Sequence, residues 1–452
     1  MNILYCSSWV LPISSGPIRD GAVAVDGDSI AGVGPAATLK RKFAGAQVSD
    51  FGEAAIIPGL VNCHSHLELT AMRGFLEREE SDFKAWLMKL TVARNVEMTS
   101  DDLYVSALCG AVEAARAGVT CLGDASNSAN EPMRALNAVG LRGIVYQESF
   151  GPDPADARAM LEELQAKVSA LREHEESGLV RAGVSPHAPY TVSAPQLELV
   201  TDYALADNLP VMMHAAESAD EASFMFEGTG PFAAGLALRG IEWRAPGIST
   251  VQYLAKLGVL RARPLLAHCI RVDQADLETL SEWDAAVAHC PKSNAKLGHG
   301  HAPFRGFLAR DLRVGLGSDS VASNNLCDLL EEARFAALTS RAFDSAADAT
   351  SAEEALRAAT LGGARALGME DQTGSLQEGL QADLAIVSLD HARQLPVYDP
   401  YAALVFASSA RDVLKTIVAG REIYGDGRVE GVDEERLGAR VREIAEKLEP
   451  RS

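Results

Sequence analysis

Two histidines one residue apart, His64 and His66, stand where an apolar run ends, in Pro58-Gly59-Leu60-Val61-Asn62-Cys63-His64-Ser65-His66-Leu67-Glu68. In an extended strand, residues i and i+2 project from one face, so both imidazoles can aim at a single point, as a metal site requires. His-x-His alone fits two exposed strand histidines equally well. Further strand ends add weight: Pro186-His187, Met213-His214, Ala267-His268, Ala288-His289 and Ser318-Asp319. Six of the ten histidines close a predicted strand, and structural histidines have no reason to gather there.

Neutral imidazole and carboxylate are ligands for zinc and iron, and a catalytic ion keeps a position open for water. His64, His66, His214 and Asp319 suffice to hold one divalent ion, zinc on this reading with iron as the alternative. Glu217, three residues beyond His214, can reach a bound water without being a ligand, which is what a proton shuttle needs. Its plainer reading is an acid in the first turn of a helix. His268 could be a fourth histidine ligand or a donor to water or substrate. Asp319 can bind metal and accept the water's proton, or simply cap a turn. A two-metal site would want an anionic bridge, often a modified lysine, at a middle strand end. The sequence there has Gln147-Glu148 and Pro186-His187, so a single ion is expected.

The elements that must position these residues alternate strand and helix. Short, near-continuously apolar runs at 56–57, 119–124, 143–148, 180–185, 210–214, 264–268, 286–289 and 314–319 make eight strands. Near-continuous apolarity marks parallel strands buried on both faces, and eight βα units point to an α/β fold of the (β/α)8 TIM-like barrel type, with its site at the strands' C-terminal ends. Residues 1–55 and 374–452 read instead as short strands between turn signals. They are expected to form one small β-sandwich from both ends of the chain, around a catalytic barrel of residues 56–373. The last stretch, Glu434 to Arg451, reads as a charged, solvated surface helix.

Composition bounds the rest. The chain has 452 residues, 47% of them hydrophobic, and a net charge of −21 from 41 basic and 62 acidic residues. That balance disfavours nucleic acid and anionic membrane as partners and leaves a small molecule. No signal-like start and no apolar run long enough to span a bilayer is found. Seven cysteines without Cys-x-x-Cys read as buried reduced thiols. A cytoplasmic protein is expected, with a homodimer as an open alternative to a monomer.

Taken together, Pro-Gly-Leu-Val-Asn-Cys-His-Ser-His, His214-x-x-Glu217, Ala267-His268-Cys269, Gly317-Ser318-Asp319 and Gly379-Leu380-Gln381-Ala382-Asp383 resemble the amidohydrolase superfamily. Arg73-Gly74, Trp86-Leu87, Ser185-Pro186-His187 and Ser323-Asn324-Asn325 look like its branch that deaminates purines and nucleosides or hydrolyses chlorotriazines. The resemblance implies hydrolysis in which Glu217 moves a proton from water to a ring nitrogen, and His268 and Asp319 hold and deprotonate the attacking oxygen. His187 would contact the base; Trp86 and Ser323 would contact substrate. Relatives acting on S-adenosylhomocysteine or methylthioadenosine tend to carry an apolar stretch after the second histidine and a ribose-binding acid after Trp-Leu. This chain has Leu67-Glu68-Leu69-Thr70 and no acid in residues 90–95. His-x-His-Leu-Glu with Asp82-Phe83-x-x-Trp86-Leu87 looks more like aminodeoxyfutalosine deaminases of the alternative menaquinone pathway. That likeness implies ribose contact by Glu68, and contact of Arg73 or Arg94 with a carboxylate arm. The alternatives are deamination of adenosylhomocysteine, methylthioadenosine, adenosine or guanine, triazine dechlorination, and a barrel that binds ligand without catalysis. His299 and His301 read as part of a loop near the mouth, and His289 as a support that is not a ligand.

Overall fold

The computed structural model describes residues 3–175 and 178–449. The N-terminal segment supplies β1 (Ile3–Val10), β2 (Ile18–Asp26), β3 (Ser29–Pro35), β4 (Gln47–Asp50) and β5 (Ala54–Pro58). The barrel strands are β6 (Leu60–Ser65), β7 (Val119–Ser126), β8 (Arg142–Ser149), β9 (Val180–Pro186), β10 (Met212–Ala215), β11 (Leu265–His268), β12 (Ala286–His289) and β13 (Arg313–Leu316). The C-terminal segment adds β14 (Leu384–Ser388), β15 (Val413–Val418), β16 (Arg421–Gly425) and β17 (Arg428–Val429).

The eight barrel strands form two parallel sheets, β6-β7-β8-β9 and β10-β11-β12-β13. Single parallel bridges, Val184 to Val211 and Ser65 to Asp319, join the two. Every residue of β6, β7 and β8 is buried, which is why these strands read as unbroken apolar runs. Val61, Cys63, Ile144, Tyr146, Met212, Leu265 and Ala288 pack together in one of the apolar clusters. The walls approach closely: a Cβ on Gly317 would fall 2.9 Å from His64 Cβ. Glycine there lets the segment after β13 lie beside β6 and set Asp319 next to the histidines.

Both chain ends meet in one continuous nine-stranded sheet, ordered β17-β16-β15-β14-β5-β1-β2-β3 with β4 on β1. Tyr5, Val23, Ile30, Ile56, Leu384 and Ile417 share its core. Ile56 and Ile57, expected as the first barrel strand, pair with Ile386 and Ala385 of β14. The barrel starts after Pro58-Gly59, because those apolar residues find their partners in a strand more than three hundred residues away, and the boundary near residue 55 moves accordingly. Arg142 of β8 ties sheet to barrel through Asp383, at 2.8 Å from Nε to Oδ2.

The C-terminal helix is packed against the body of the protein. It runs Glu434–Leu448 and buries Leu437, Ile444 and Leu448 against the helix Ser100–Arg116, where Lys447 Nζ donates to Asp102 Oδ2 at 2.8 Å. It is an amphipathic packing element, not a freely solvated one; Arg451 lies outside the described residues. The seven cysteines are all free. Among the described residues, no helix is long and apolar enough to cross a membrane.

Candidate active site

The structure brings His64, His66, His214 and Asp319 together at the C-terminal ends of β6, β10 and β13. His66 Nε2 lies 3.3 Å from His214 Nε2, and Asp319 Oδ1 lies 3.4 Å from His64 Nε2 and 3.6 Å from His66 Nε2. His214 Nδ1–H donates to the His187 carbonyl oxygen at 3.1 Å, which keeps the ring proton on Nδ1 and leaves Nε2 a lone pair facing the cluster. Burial and the neighbouring imidazoles push His66 down to about 3 and His214 well below the usual histidine range. Both rings are therefore neutral at pH 7, as ligands must be.

Burial alone would raise the Asp319 carboxyl, but the His64 ring 3.4 Å away and the other surrounding imidazoles hold it well below the usual range. Its Oδ2 accepts from Ser293 Oγ at 2.5 Å and Ser323 Oγ at 3.0 Å, and its Oδ1 from the Ser320 N–H at 2.6 Å. Asp319 itself has φ 56°, a left-handed turn that aims the carboxylate back across the strand end.

His64 Nε2 is fully buried and has no hydrogen-bond partner. An orphaned nitrogen beside two neutral imidazoles and an ionised carboxylate is costly unless a cation meets it. This N3O donor set fits a divalent metal such as zinc or iron. Among the described residues, one other metal-type grouping draws on a non-ligand acid: Glu148, His187 and His214. It shares His214, whose one free nitrogen already faces His66.

Glu217 leaves β10 at a turn where Ala216 has φ 54°. Burial, with the charges of Asp319 and Glu221, raises its carboxyl well above the usual range, the direction that suits a group that takes and gives a proton. Its Oε1 is 3.7 Å from His268 Nε2 and 3.6 Å from His299 Nε2. His268 is oriented through Nδ1 by Asn294 Oδ1 at 2.9 Å, and burial lowers it to about 4. His299, expected in a loop near the mouth, is buried and packs edge-on against Phe83 with ring centroids 4.7 Å apart. His301 stacks on Phe343, and His289 on Phe304, away from the ligand cluster.

A cavity opens above the cluster, with Leu69, Phe83, Trp86, Leu87 and Leu90 on one side and Arg94, Glu148 and His187 among its polar residues. Trp86 and His187 thus reach the cavity; Thr191 Oγ1 meets His187 Nδ1 at 2.8 Å. Ser323 does not line it and instead orients Asp319. Glu68 is completely buried and fully engaged: Arg94 Nη1 at 3.3 Å, Asn127 N–H at 3.1 Å and Ser128 N–H at 3.0 Å. It has no oxygen to offer a sugar. Arg73 lies outside the cavity lining, bound to Glu113 and the Asn325 carbonyl. Arg94 lines the cavity and pairs through Nη1 with Glu68 and Glu148.

Sequence reasoning missed Glu148, Tyr190 and Asn294 as site residues. Glu148 carried the same signal as the histidines, a polar residue closing a buried strand.

The profile of the amidohydrolase family matches residues 55–423, and one for an imidazolonepropionase-like composite domain matches residues 21–46. A 5-methylthioadenosine/S-adenosylhomocysteine deaminase from Syntrophobacter fumaroxidans is 33% identical over 430 residues, covering 95% of this chain and 94% of that one. The crystal structure of an adenosine deaminase from Xanthomonas campestris with bound zinc superposes with TM-score 0.88 at 28% identity, covering 99% of this chain and 98% of that one. The atrazine chlorohydrolase of Arthrobacter aurescens TC1, complexed with zinc, shares the fold at TM-score 0.84 and 23% identity, covering 98% and 100%.

Proposed function

The chain belongs to the amidohydrolase family, and on that premise we propose that it is a metal-dependent hydrolytic deaminase of an adenine nucleoside. The observation that carries this reading is the buried carboxyl of Glu217 placed 3.7 Å from His268 beside the His64–His66–His214–Asp319 cluster. One zinc ion held by those four residues would lower the pKa of a water and so supply a nucleophile near neutral pH. The protein's own groups do the rest. Glu217 gives its proton to the ring nitrogen of the base, making the adjacent amino-bearing carbon electrophilic. His268 and ionised Asp319 orient the attacking oxygen and accept its proton. The leaving amine takes the proton that Asp319 accepted, the hydroxyl proton of the adduct returns to Glu217, and ammonia departs. His187, steadied by Thr191, meets the far side of the base.

The finer reading is conversion of 6-amino-6-deoxyfutalosine to futalosine and ammonia, in menaquinone biosynthesis, by a cytoplasmic enzyme acting on a free small molecule. His-x-His-Leu-Glu supports it, as does a wall of Phe83, Trp86, Leu87 and Leu90 suited to an aryl arm. The named activity of the 33% identical relative favours methylthioadenosine and adenosylhomocysteine as the second reading. Ultraviolet-monitored deamination of these three and adenosine, side by side, separates them. A preference of about a hundredfold in kcat/KM, roughly 2.7 kcal/mol, for aminodeoxyfutalosine supports the finer reading. An equal preference for either of the others replaces it.

A further inference from the structure

The acid that would hold a ribose is missing from its expected place after Trp86-Leu87, and Glu68 is walled in. The cavity supplies another. Its polar side chains are mostly committed: His66, His214 and Asp319 face the metal position, Glu217, His268 and Tyr190 form the proton-transfer group, His187 is paired with Thr191, and the Trp86 indole can only donate. Arg94, Glu148 and Ser320 remain, and the Ser320 hydroxyl oxygen is bound by the Ala322 N–H at 3.0 Å. Arg94 can only donate. Glu148, from the end of β8, is 2% exposed, and its carboxylate has one hydrogen-bond partner among the described residues, Arg94 Nη1 at 3.4 Å. One of its oxygens lies within 4.8 Å of a ring nitrogen of both His187 and His214.

A buried carboxylate with one long hydrogen bond has unfilled acceptor capacity. Two adjacent hydroxyl donors would fill it, and a vicinal diol presents them in bidentate reach of one carboxylate. Glu148 lines the same cavity as Glu217 and His187, so the sugar of a nucleoside whose base lies between those two comes within its reach. Glu68, capped by two backbone N–H groups, fixes Arg94, and Arg94 in turn steadies Glu148. Resting on the nucleoside reading above, we infer that Glu148 is the specificity residue for the 2′- and 3′-hydroxyls of a ribonucleoside, oriented by the Arg94–Glu68 pair.

The test compares binding of inosine and 2′,3′-dideoxyinosine to zinc-loaded wild type, Glu148→Gln and Glu148→Leu, alongside turnover of adenosine, methylthioadenosine and aminodeoxyfutalosine. Arg94 stays balanced by Glu68 in both variants, so folding should survive, and circular dichroism checks it. The wild type should bind inosine about a hundredfold more tightly than the dideoxy compound, since a site built for hydroxyls rejects analogues lacking them. Glu148→Gln should cut that ratio to about tenfold and Glu148→Leu to near unity, with dideoxyinosine affinity unchanged. Equal wild-type affinities, or a full ratio retained in Glu148→Leu, overturn the inference. Turnover of no adenine nucleoside would sink the deaminase reading separately, because the binding ratio is read without turnover.

Discussion

The carboxylate of Glu221 accepts the backbone N–H groups of both Ala216 and Glu217, each at 2.8 Å. Thr250 Oγ1 donates to the same carboxylate at 2.7 Å, and Glu221 is completely buried. The left-handed turn that presents Glu217 is therefore enforced by a side chain outside the cavity. Glu221→Ala should cost about 2–4 kcal/mol of unfolding free energy by orphaning two N–H groups. It should also lower kcat by roughly tenfold to a hundredfold with zinc content unchanged. Urea denaturation, kinetics and metal analysis read the three effects, and an unaltered kcat in a folded variant would remove the positioning role.

Asp319 is presented to the metal position by the Ser293 and Ser323 hydroxyls. Supporting hydrogen bonds of this kind are worth about 10–100-fold in metal affinity. The double variant Ser293→Ala/Ser323→Ala should weaken zinc binding by about that factor in chelator competition. Chelation of the wild type should lower its melting temperature, and added zinc should restore it, since a ligand present at about 1,000 times its Kd adds about 4 kcal/mol. A melting temperature indifferent to zinc would contradict the ligand assignment.

Glu332 is completely buried, accepting from Asn324 Nδ2 at 2.6 Å and the Lys292 N–H at 3.3 Å. Burial pushes its carboxyl from 4.5 up to about 8. Between those values the folded state holds a proton that the unfolded chain has lost, so stability falls as pH rises from 4.5 to 8. Glu332→Gln fixes the neutral form. Wild type and variant should match near pH 4, and the variant should gain on the wild type up to pH 8, by of order 5 kcal/mol. Parallel stability curves across that window would show that Glu332 is not protonated in the folded protein.

The Arg142–Asp383 pair is buried at both ends. Removing one partner should cost about 3–5 kcal/mol, whereas replacing both with apolar residues of similar volume should cost far less. Thermal denaturation of Arg142→Met, Asp383→Leu and the double variant measures the difference; additive losses would argue against a coupled pair.

Much of the candidate site was legible because the residues that cluster in it sit at regular places in one pattern. His64 and His66 share a strand face, and His214, His268 and Asp319 each end or follow a buried apolar run. What was not legible depends on partners remote in sequence. Ile56 and Ile57 look like any buried parallel strand until β14, residues 384–388, is folded beside them. Glu68 reads as an acid that contacts a ribose, because the Arg94 and Asn127 groups that enclose it lie 26 and 59 positions away. The apolar face of the C-terminal helix was hidden by its many charges, and only its docking on the helix Ser100–Arg116 shows which positions are covered.

The central claim is that Glu217 moves protons for a zinc-dependent deamination, and one comparison tests it most directly. Ammonia release from the adenine-nucleoside panel is measured for zinc-loaded wild type and Glu217→Gln, with zinc stoichiometry determined on the same samples. The account predicts turnover in the wild type and a loss of about a thousandfold in the variant, with zinc bound equally by both. Undiminished turnover in Glu217→Gln, or a wild type that carries zinc and deaminates none of the nucleosides, would contradict it.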